Sequence, residues 1–428
     1  MNFVFIFLGV LFGLMALGVP VGIVLMICGI AVMGALGMND PRTVAQFMFH
    51  GLNSFPLMAI PFFILAGSIM SKGGLIRRLV DVAMLVVGRF RGGIGYTVAL
   101  TSLMFAGLSG SALADAAAIG TMMIPIMAAA GYNKARSGAF IAANTTNTPL
   151  IPPSGAFILI GVTCNLSIAR LFMGGIVPGV FVAIALMITW YFVARIDGYT
   201  DKKTFKREQA MPIIKDAIPA FGIPVLVIGG IRFGWFTPTE AGAFCVVYSL
   251  VICIFFYKDL NWKKIKEAFL EAAITTSAVA LIVSGASVAG FYMTMAQLPQ
   301  HIVALLGGFL DRPVLFLFVV SAILFVISMV MDMTPNILIF APILMPVARA
   351  AGIDPYFFAF IMCFIFSIGL FTPPVGTVLF VTLKISGARY NELVYKMLPF
   401  LGVLILVLII YILFPQLYIV PQRFLMGR

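Results

Sequence analysis

Two apolar segments, 124–155 and 345–376, repeat the same pattern of Gly and Pro without a gap. The doublet Pro152-Pro153 of the first copy matches Pro373-Pro374 of the second, so equivalent residues lie 221 positions apart (373 − 152). A kink alone would explain one proline pair, because membrane helices tolerate proline. Two pairs in register, each preceded by polar residues, instead favour a site built from interrupted helices of two repeats, the arrangement of secondary transporters.

The composition limits the fold to membrane-spanning helices. Of the 428 residues, 62% are hydrophobic and 10% are charged, and apolar stretches of about 17 to 25 residues recur, which is the length that crosses a bilayer. These stretches lack the two-residue alternation of a membrane barrel, so their backbone groups must be satisfied within helices. The predicted fold class is an all-α polytopic membrane protein, and the first segment is interpreted as a retained span because it lacks a basic leader.

The net charge of +12 is distributed as a topology signal. Twenty of the 27 Lys and Arg fall in five blocks between predicted spans, namely 72–91, 134–136, 195–215, 258–266 and 384–396. The positive-inside rule places these blocks in the cytoplasm, which favours contact with membrane lipid over a nucleic acid partner. The five cysteines and two histidines are isolated, so neither a disulfide framework nor a metal centre is predicted.

Threading the chain through a bilayer gives two units, each with five crossings and one re-entrant hairpin. The first unit reads as 2–18, 20–36, 55–71, an interfacial arm at 75–90, a hairpin at 92–130, an interrupted crossing at 135–172, and 174–196. The second reads as 213–232, 238–257, an interfacial helix from 261, 273–295, an arm at 297–310, a hairpin at 312–350, an interrupted crossing at 355–387, and 395–421. Because five is odd, the two repeats are predicted to be inverted.

The hairpin tips and helix interruptions concentrate hard oxygen donors. They are Ser109, Ser111, Asp115, Asn144, Asn147 and Thr148 in the first copy, and Asp332, Thr334, Asn336 and Thr372 in the second. Carbonyl oxygens at the ends of half-helices suit Na⁺, and amides at their starts suit a carboxylate. Both aspartates lie within apolar sequence, where an ionisable group is costly, so ion coordination is favoured over an interfacial or paired carboxylate.

Four segments resemble the large membrane subunit of the tripartite ATP-independent periplasmic (TRAP) transporters, and the resemblance covers essentially the whole chain. They are Leu17-Gly18-Val19-Pro20, the stretches 54–67 and 105–115, and Ile151-Pro152-Pro153-Ser154. The resemblance implies an elevator-type, Na⁺-coupled importer in a bacterial inner membrane. It also implies two partners, a small four-span membrane subunit, expected as a separate chain, and a periplasmic binding protein.

The resemblance further implies a substrate and a division of the chain. The stretch 144–149 is similar to the sialic-acid branch of the family, which makes N-acetylneuraminate the expected substrate, with a C4-dicarboxylate or another carboxylate as the alternative. The expected parts are scaffold spans at 1–72, an arm at 73–91, half of a moving transport domain at 92–173, scaffold at 174–272, a span and arm at 273–310, the other transport half at 311–388, and a last span at 389–428.

Within this frame we expect two sodium sites and one substrate site, with no cofactor beyond the coupling ion. The first sodium site is assigned to Ser109, Asp115, Asn144 and Asn147. The second is assigned to Asp332, Gly369 and Thr372. The organic acid is expected between the tips, in contact with Ser111, Thr148, Ser154 and Thr334.

Two other classes of protein are considered. Asp115 and Asp332 could share a proton as the dyad of an intramembrane aspartyl hydrolase, but their different registers in the two copies argue against it. A stand-alone carrier or channel would carry flux without a binding protein, which distinguishes it from the tripartite system.

Overall fold

The computed structural model describes residues 2–202, 207–298, 300–301 and 308–426, and the regular structure within them is helical. Eight helices in this part of the chain are long and apolar enough to cross a membrane. The prediction of an all-α polytopic membrane protein is therefore confirmed. A central hydrophobic core joins helices from both halves of the sequence.

The first half contains ten α-helices. Their bounds are α1 (Asn2–Ala16), α2 (Val21–Ala35), α3 (Pro41–Leu52), α4 (Ala59–Lys72), α5 (Leu75–Val87), α6 (Gly93–Ser109), α7 (Ala112–Ala129), α8 (Lys134–Thr145), α9 (Gly155–Thr163) and α10 (Ile168–Ile196). Short 3-10 turns at Phe55–Met58 and Thr148–Leu150 precede α4 and interrupt the path from α8 to α9.

The described residues of the second half contain nine further α-helices. They are α11 (Arg207–Arg232), α12 (Pro238–Val251), α13 (Trp262–Met295), α14 (Pro313–Ser328), α15 (Met333–Ala350), α16 (Pro355–Gly369), α17 (Thr377–Ser386), α18 (Tyr390–Leu413) and α19 (Gln416–Leu425). A π-helical turn, Ile252–Phe256, continues α12. The arm predicted at 297–310 falls largely outside the described residues.

The internal repeat is visible in the helix bounds. Shifting α7 by 221 residues gives the bounds of α15. The interrupted crossings begin with equivalent caps, because Asn133 accepts a hydrogen bond from the backbone N–H of Arg136 and Asp354 accepts from that of Phe357, both at 2.9 Å. Side-chain caps satisfy N–H groups that a helix start leaves unpaired. The same local chemistry therefore starts α8 and α16.

Helix pairs occur at both positions predicted for hairpins, and both predicted helix interruptions are present. The hairpins are α6 with α7 and α14 with α15, and the interruptions separate α8 from α9 and α16 from α17. Each interruption contains its Pro-Pro doublet, with the peptide bond between the prolines in the cis form in both copies. The alternative explanation of the proline pairs, a simple kink within a continuous helix, is therefore wrong.

Several predicted bounds need correction. Residues 41–52, which lie between the predicted spans 20–36 and 55–71, form α3, because Asp40 caps the backbone N–H groups of Arg42 and Thr43. The expected interfacial helix from 261 and the span at 273–295 are one continuous helix, α13, since no Pro or Gly interrupts its first 23 residues. The last span, expected at 395–421, ends at Leu413, and Pro415 precedes the separate helix α19.

The helices pack in two groups. In the first, α13 lies against α2, α3 and α4, while α12 packs against α4 and α11, and α1 packs against α2. In the second, α7 packs against α8 and α17, and α15 packs against α9 and α16, so the two halves of the sequence interlock. Helix α10 begins at Ile168 instead of 174 and packs on α6, α9, α18 and α19. This segment, expected among the scaffold spans, therefore contacts the first hairpin and the first interrupted crossing.

One close approach fixes α10 against the first interruption. A Cβ atom added at Gly175 would lie 2.0 Å from the backbone oxygen of Leu150. A backbone atom cannot move aside as a flexible side chain can, so we predict that Gly175→Ala destabilises the protein by about 1 to 3 kcal/mol, the usual cost of overpacking. Thermal unfolding of the detergent-solubilised protein measures the effect.

The matched control is Gly402→Ala in α18, where nothing lies within 4 Å of the added atom. Alanine is favoured over glycine inside a helix, so this variant should melt at or slightly above the wild-type temperature. Equal melting of the two variants would contradict the packing described for α10.

Candidate functional site

Each hairpin tip lies against the interruption of the crossing that follows it. At the first tip, Gly110 has a φ of +63°, and a Cβ atom there would lie 2.8 Å from the backbone oxygen of Pro153. At the second tip, the backbone N–H of Val375 donates to the oxygen of Met329 at 3.3 Å. Non-helical backbone at membrane depth must be covered by protein or line a cavity. Here the tip and the interruption cover each other.

Asp115 joins the first tip to the first interruption. It lies in the first turn of α7 and is fully buried. Its carboxylate accepts hydrogen bonds from the hydroxyl of Ser109, at the end of α6, and from that of Thr148 at 2.5 Å. The positive end of the α7 dipole also favours the carboxylate. The structure thus unites Ser109 and Asp115, as predicted, and adds Thr148, which was expected to contact the substrate.

The two asparagines of the first interruption are buried close to the backbone. The amide nitrogen of Asn144 donates to the oxygen of Phe140 at 2.8 Å, and that of Asn147 donates to the oxygen of Gly179 at 2.7 Å. The amide oxygen of Asn147 is buried without a hydrogen-bond partner among the described residues. An unpaired buried carbonyl is costly, and it is a suitable ligand for a hard cation.

In the second copy the buried polar residue in the first turn of the second hairpin helix is Asn336. Its amide nitrogen donates to the oxygen of Met331 at 3.1 Å, while its amide oxygen has no partner in the described part of the chain. Asp332 is instead exposed to a cavity, where its carboxylate lies 3.5 Å from the hydroxyl of Thr377. The structure therefore places Asp332, which was assigned to the second sodium site, at the wall of this cavity.

Aligning the two copies by the repeat shows which residues differ between them. Asn336 lies 221 residues after Asp115, and Gly369 lies 221 residues after Thr148. In the first copy the threonine hydroxyl binds the carboxylate, whereas Gly369 has no side chain to offer Asn336. Gly369 also leaves room for Ser328, whose hydroxyl oxygen would lie 2.2 Å from an added Cβ atom. The 221-residue register of the repeat identifies Asn336 as the counterpart of Asp115.

Thr372, the third residue assigned to the second sodium site, is buried, and its hydroxyl donates to the backbone oxygen of Ile368 at 2.7 Å. Its lone pairs stay available as acceptors.

A cavity of about 300 Å³ lies between the two tips, α4 and α13. Ser111 and Thr334, both predicted substrate residues, line it together with Asp332. Thr148 and Ser154 are not among its lining residues. The hydroxyl of Ser154 caps α9 by accepting a hydrogen bond from the backbone N–H of Phe157 at 3.2 Å.

The electrostatics of this cavity are unusual for an anion site. Among the lining residues that the structure describes, Asp332 is charged and none is Lys, Arg or His. The start of α7 contributes backbone N–H groups and the positive end of a helix dipole. An organic anion bound here would therefore meet one carboxylate and helix-terminal amides, and a cation nearby would be needed to balance the charge.

The comparison with known families agrees with this architecture. The family model described as "Tripartite ATP-independent periplasmic transporter, DctM component" matches residues 8–417. The chain therefore belongs to the DctM family of TRAP transporter permeases, which are transport proteins and not enzymes. This excludes the aspartyl hydrolase considered from the two aspartates.

Two relatives in the family have names that refer to different substrates. The chain is 39% identical to the 2,3-diketo-L-gulonate TRAP transporter large permease protein YiaN of Escherichia coli, over 99% of each chain. It is 35% identical to the sialic acid TRAP transporter large permease protein SiaM of Vibrio cholerae, over 96% of this chain and 97% of that one. The sialic-acid relative is not the more similar of the two, so the sequence similarity does not single out that branch.

A solved structure shares the fold. The YdaH transporter of Alcanivorax borkumensis superposes with a TM-score of 0.57, over 87% of this chain and 86% of that one, at 15% sequence identity. At this identity the similarity concerns the fold alone.

The hydrogen bond from Thr148 to Asp115 gives a direct prediction. Thr148→Val removes a hydroxyl donor from a buried carboxylate, and such hydrogen bonds contribute about 1.5 to 3 kcal/mol. We predict a loss of stability of this size, measured by thermal unfolding in sodium-free choline chloride.

Thr101→Val is the matched control, because the hydroxyl of Thr101 in α6 is buried without a partner among the described residues. Removing an unpaired hydroxyl should leave the melting temperature unchanged or raise it. A similar loss in both variants would mean that the hydroxyl of Thr148 does not support Asp115.

Proposed function

We propose that this protein is the large permease subunit of a Na⁺-coupled system that imports an organic acid. The observation that carries the proposal is the pairing of each hairpin tip with an interrupted helix around a buried side-chain oxygen, Asp115 in one copy and Asn336 in the other. Interrupted helices of this kind bind substrates and coupling ions in secondary transporters.

Sodium is the cation that best suits these donors. Each site offers hydroxyl, amide and backbone oxygens with at most one carboxylate, whereas calcium sites generally use several carboxylates. The first site would use Ser109, Asp115 and the free amide oxygen of Asn147, with Asn144 beside them. The second would use Asn336 with backbone oxygens near Gly369 and Thr372. Asp332, at the cavity, would contact the ion or the substrate from the open side.

The packing supports an elevator mechanism. The helices α6–α10 and α14–α19 interlock around the two sites, while α1–α4 and α11–α13 form the other group. Helix α5 connects them, since it packs against α6 on one side and α11 on the other. We propose that the first group moves as the transport domain, that the second is the scaffold, and that the two repeats are inverted in the membrane.

The cavity suggests a sugar acid as the substrate. Ser111 and Thr334 can bind sugar hydroxyls, the start of α7 can bind a carboxylate, and α4 and α13 contribute apolar side chains such as Phe63 and Ile282. N-acetylneuraminate, the expected substrate, belongs to this class, as does the 2,3-diketo-L-gulonate named for the Escherichia coli relative.

The proposal includes two partners and a location. The family name describes a tripartite periplasmic system, so we propose a small membrane subunit and a periplasmic binding protein as the other components. The protein would lie in a bacterial inner membrane with its basic loops in the cytoplasm.

Uptake by proteoliposomes tests the function. The permease is reconstituted with its small subunit and binding protein, and uptake of N-acetylneuraminate, 2,3-diketo-L-gulonate and succinate is measured with an inward Na⁺ or choline gradient. We predict that a sugar acid is accumulated only with Na⁺. Asp115→Asn should reduce this uptake at least about tenfold, because one lost charged ligand weakens ion binding by about 1.4 kcal/mol or more.

The control is Thr101→Val, which should transport as wild type. Equal uptake in Na⁺ and choline would contradict the coupling, and uptake of succinate alone would contradict the sugar-acid assignment. Uptake without the binding protein would indicate a stand-alone carrier.

A further inference from the structure

A second cavity, of about 330 Å³, adjoins the cavity between the tips. The two share Ile64 of α4, Ser109 and Ser111 at the first tip, and Thr275 of α13 as lining residues. From this shared wall the second cavity extends along α4 to Lys72 and along α13 to Glu271. Lys72 follows Ile64 by eight residues, which is about 12 Å along a helix.

The wall between the tip and Lys72 is small and polar. Ser68 and Ser71 line it from α4, and Thr121 lines it from α7 together with three alanines. Hydroxyl groups can bind the polar groups of a passing substrate, and small side chains leave space for it. A route with this lining suits a hydrophilic molecule.

Lys72 is the cationic residue among the described residues that line this cavity. Its ammonium lies 3.2 Å from the carboxylate of Glu271 and 3.9 Å from that of Glu267. Glu271 also accepts a hydrogen bond from Ser68 at 2.9 Å. The side chains of Lys72 and Glu271 are 27% and 56% exposed. Ion pairs this accessible contribute little net stability, so the ammonium can exchange one carboxylate for another.

The basic residues that follow place this end of the route in the cytoplasm. Arg77, Arg78, Arg89 and Arg91 come after Lys72 in the sequence. Under the positive-inside rule, Lys72 lies on the cytoplasmic side of the first tip. The second cavity therefore leads from the candidate substrate site toward the cytoplasm.

We propose that the second cavity is the release vestibule for the organic acid and that Lys72 binds the carboxylate of the acid there. The inference rests on the proposed function, because it assigns the exit of the same substrate. The carboxylate of the acid leaves the helix-terminal amides at the tip. It then replaces Glu271 as the partner of the Lys72 ammonium. Glu271 keeps its hydrogen bond from Ser68. Glu271 thus competes with the substrate, and its negative charge favours release.

Protection of an introduced cysteine tests this proposal without relying on transport. Thr121→Cys places a thiol in the exposed wall of the vestibule, and the five native cysteines are all buried. The assembled complex in inside-out vesicles is labelled with a hydrophilic maleimide in Na⁺. Labelling is measured at increasing concentrations of N-acetylneuraminate, 2,3-diketo-L-gulonate or succinate, and each acid is tested whatever the uptake assay gives.

The proposal predicts opposite effects for the two members of the ion pair. At least one acid protects the thiol, and Lys72→Met raises its half-protecting concentration about tenfold, equivalent to about 1.4 kcal/mol. Lys72→Arg keeps the charge and restores protection. Glu271→Gln lowers the half-protecting concentration about threefold, because it removes the competing carboxylate. Lys266→Met, which removes an exposed lysine of α13 outside the cavity, leaves it unchanged.

Two results would overturn the inference. One is the absence of protection by all three acids. The other is a shift in the same direction for Lys72→Met and Glu271→Gln, which would mean that the pair only holds α4 against α13. Either result leaves Na⁺-driven uptake to be judged by its own assay, so failure of the vestibule and failure of the proposed function are distinguishable.

Discussion

The structure depends on how a membrane protein satisfies backbone groups where a helix stops inside the bilayer. An unpaired N–H or C=O group in hydrocarbon costs several kcal/mol. This chain stops two helices at Thr145 and Gly369 and covers each interruption with the tip of a hairpin. Two amide oxygens in these regions, those of Asn147 and Asn336, have no hydrogen-bond partner among the described residues. The interruptions therefore bring polar backbone and side-chain groups together, which is why we propose that an ion and a polar substrate bind there.

The two copies solve this problem differently. In the first, a carboxylate at Asp115 is held by two hydroxyls. In the second, Asn336 and Gly369 replace the acid and the threonine, and the amide oxygen of Asn336 stays unpaired among the described residues. Asp115 can ionise, whereas Asn336 is neutral.

Much of this architecture can be predicted from the sequence, because Gly, Pro and capping residues act locally. The repeat accounts for the 221-residue offset between α7 and α15, and the Pro-Pro doublets mark the two interruptions. The functional role of a side chain depends on the direction in which it points. Asp332 was assigned to the second sodium site because it is charged. The structure places it at the cavity, whereas Asn336 is buried. Ser154 caps a helix, and the continuity of α13 is hidden by the charges in its first turns.

The central claim is that both tip-and-interruption pairs bind Na⁺. Its most direct test is thermal unfolding of the permease in NaCl and in choline chloride, since a ligand that binds the folded state stabilises it by about 2.7 kcal/mol at 100 times its dissociation constant. We predict a Na⁺-dependent rise in melting temperature that is reduced by Asp115→Asn, reduced by Asn336→Leu, and abolished when both changes are combined. A wild-type protein that melts at the same temperature in both salts, or a rise that survives in the double variant, would contradict the claim.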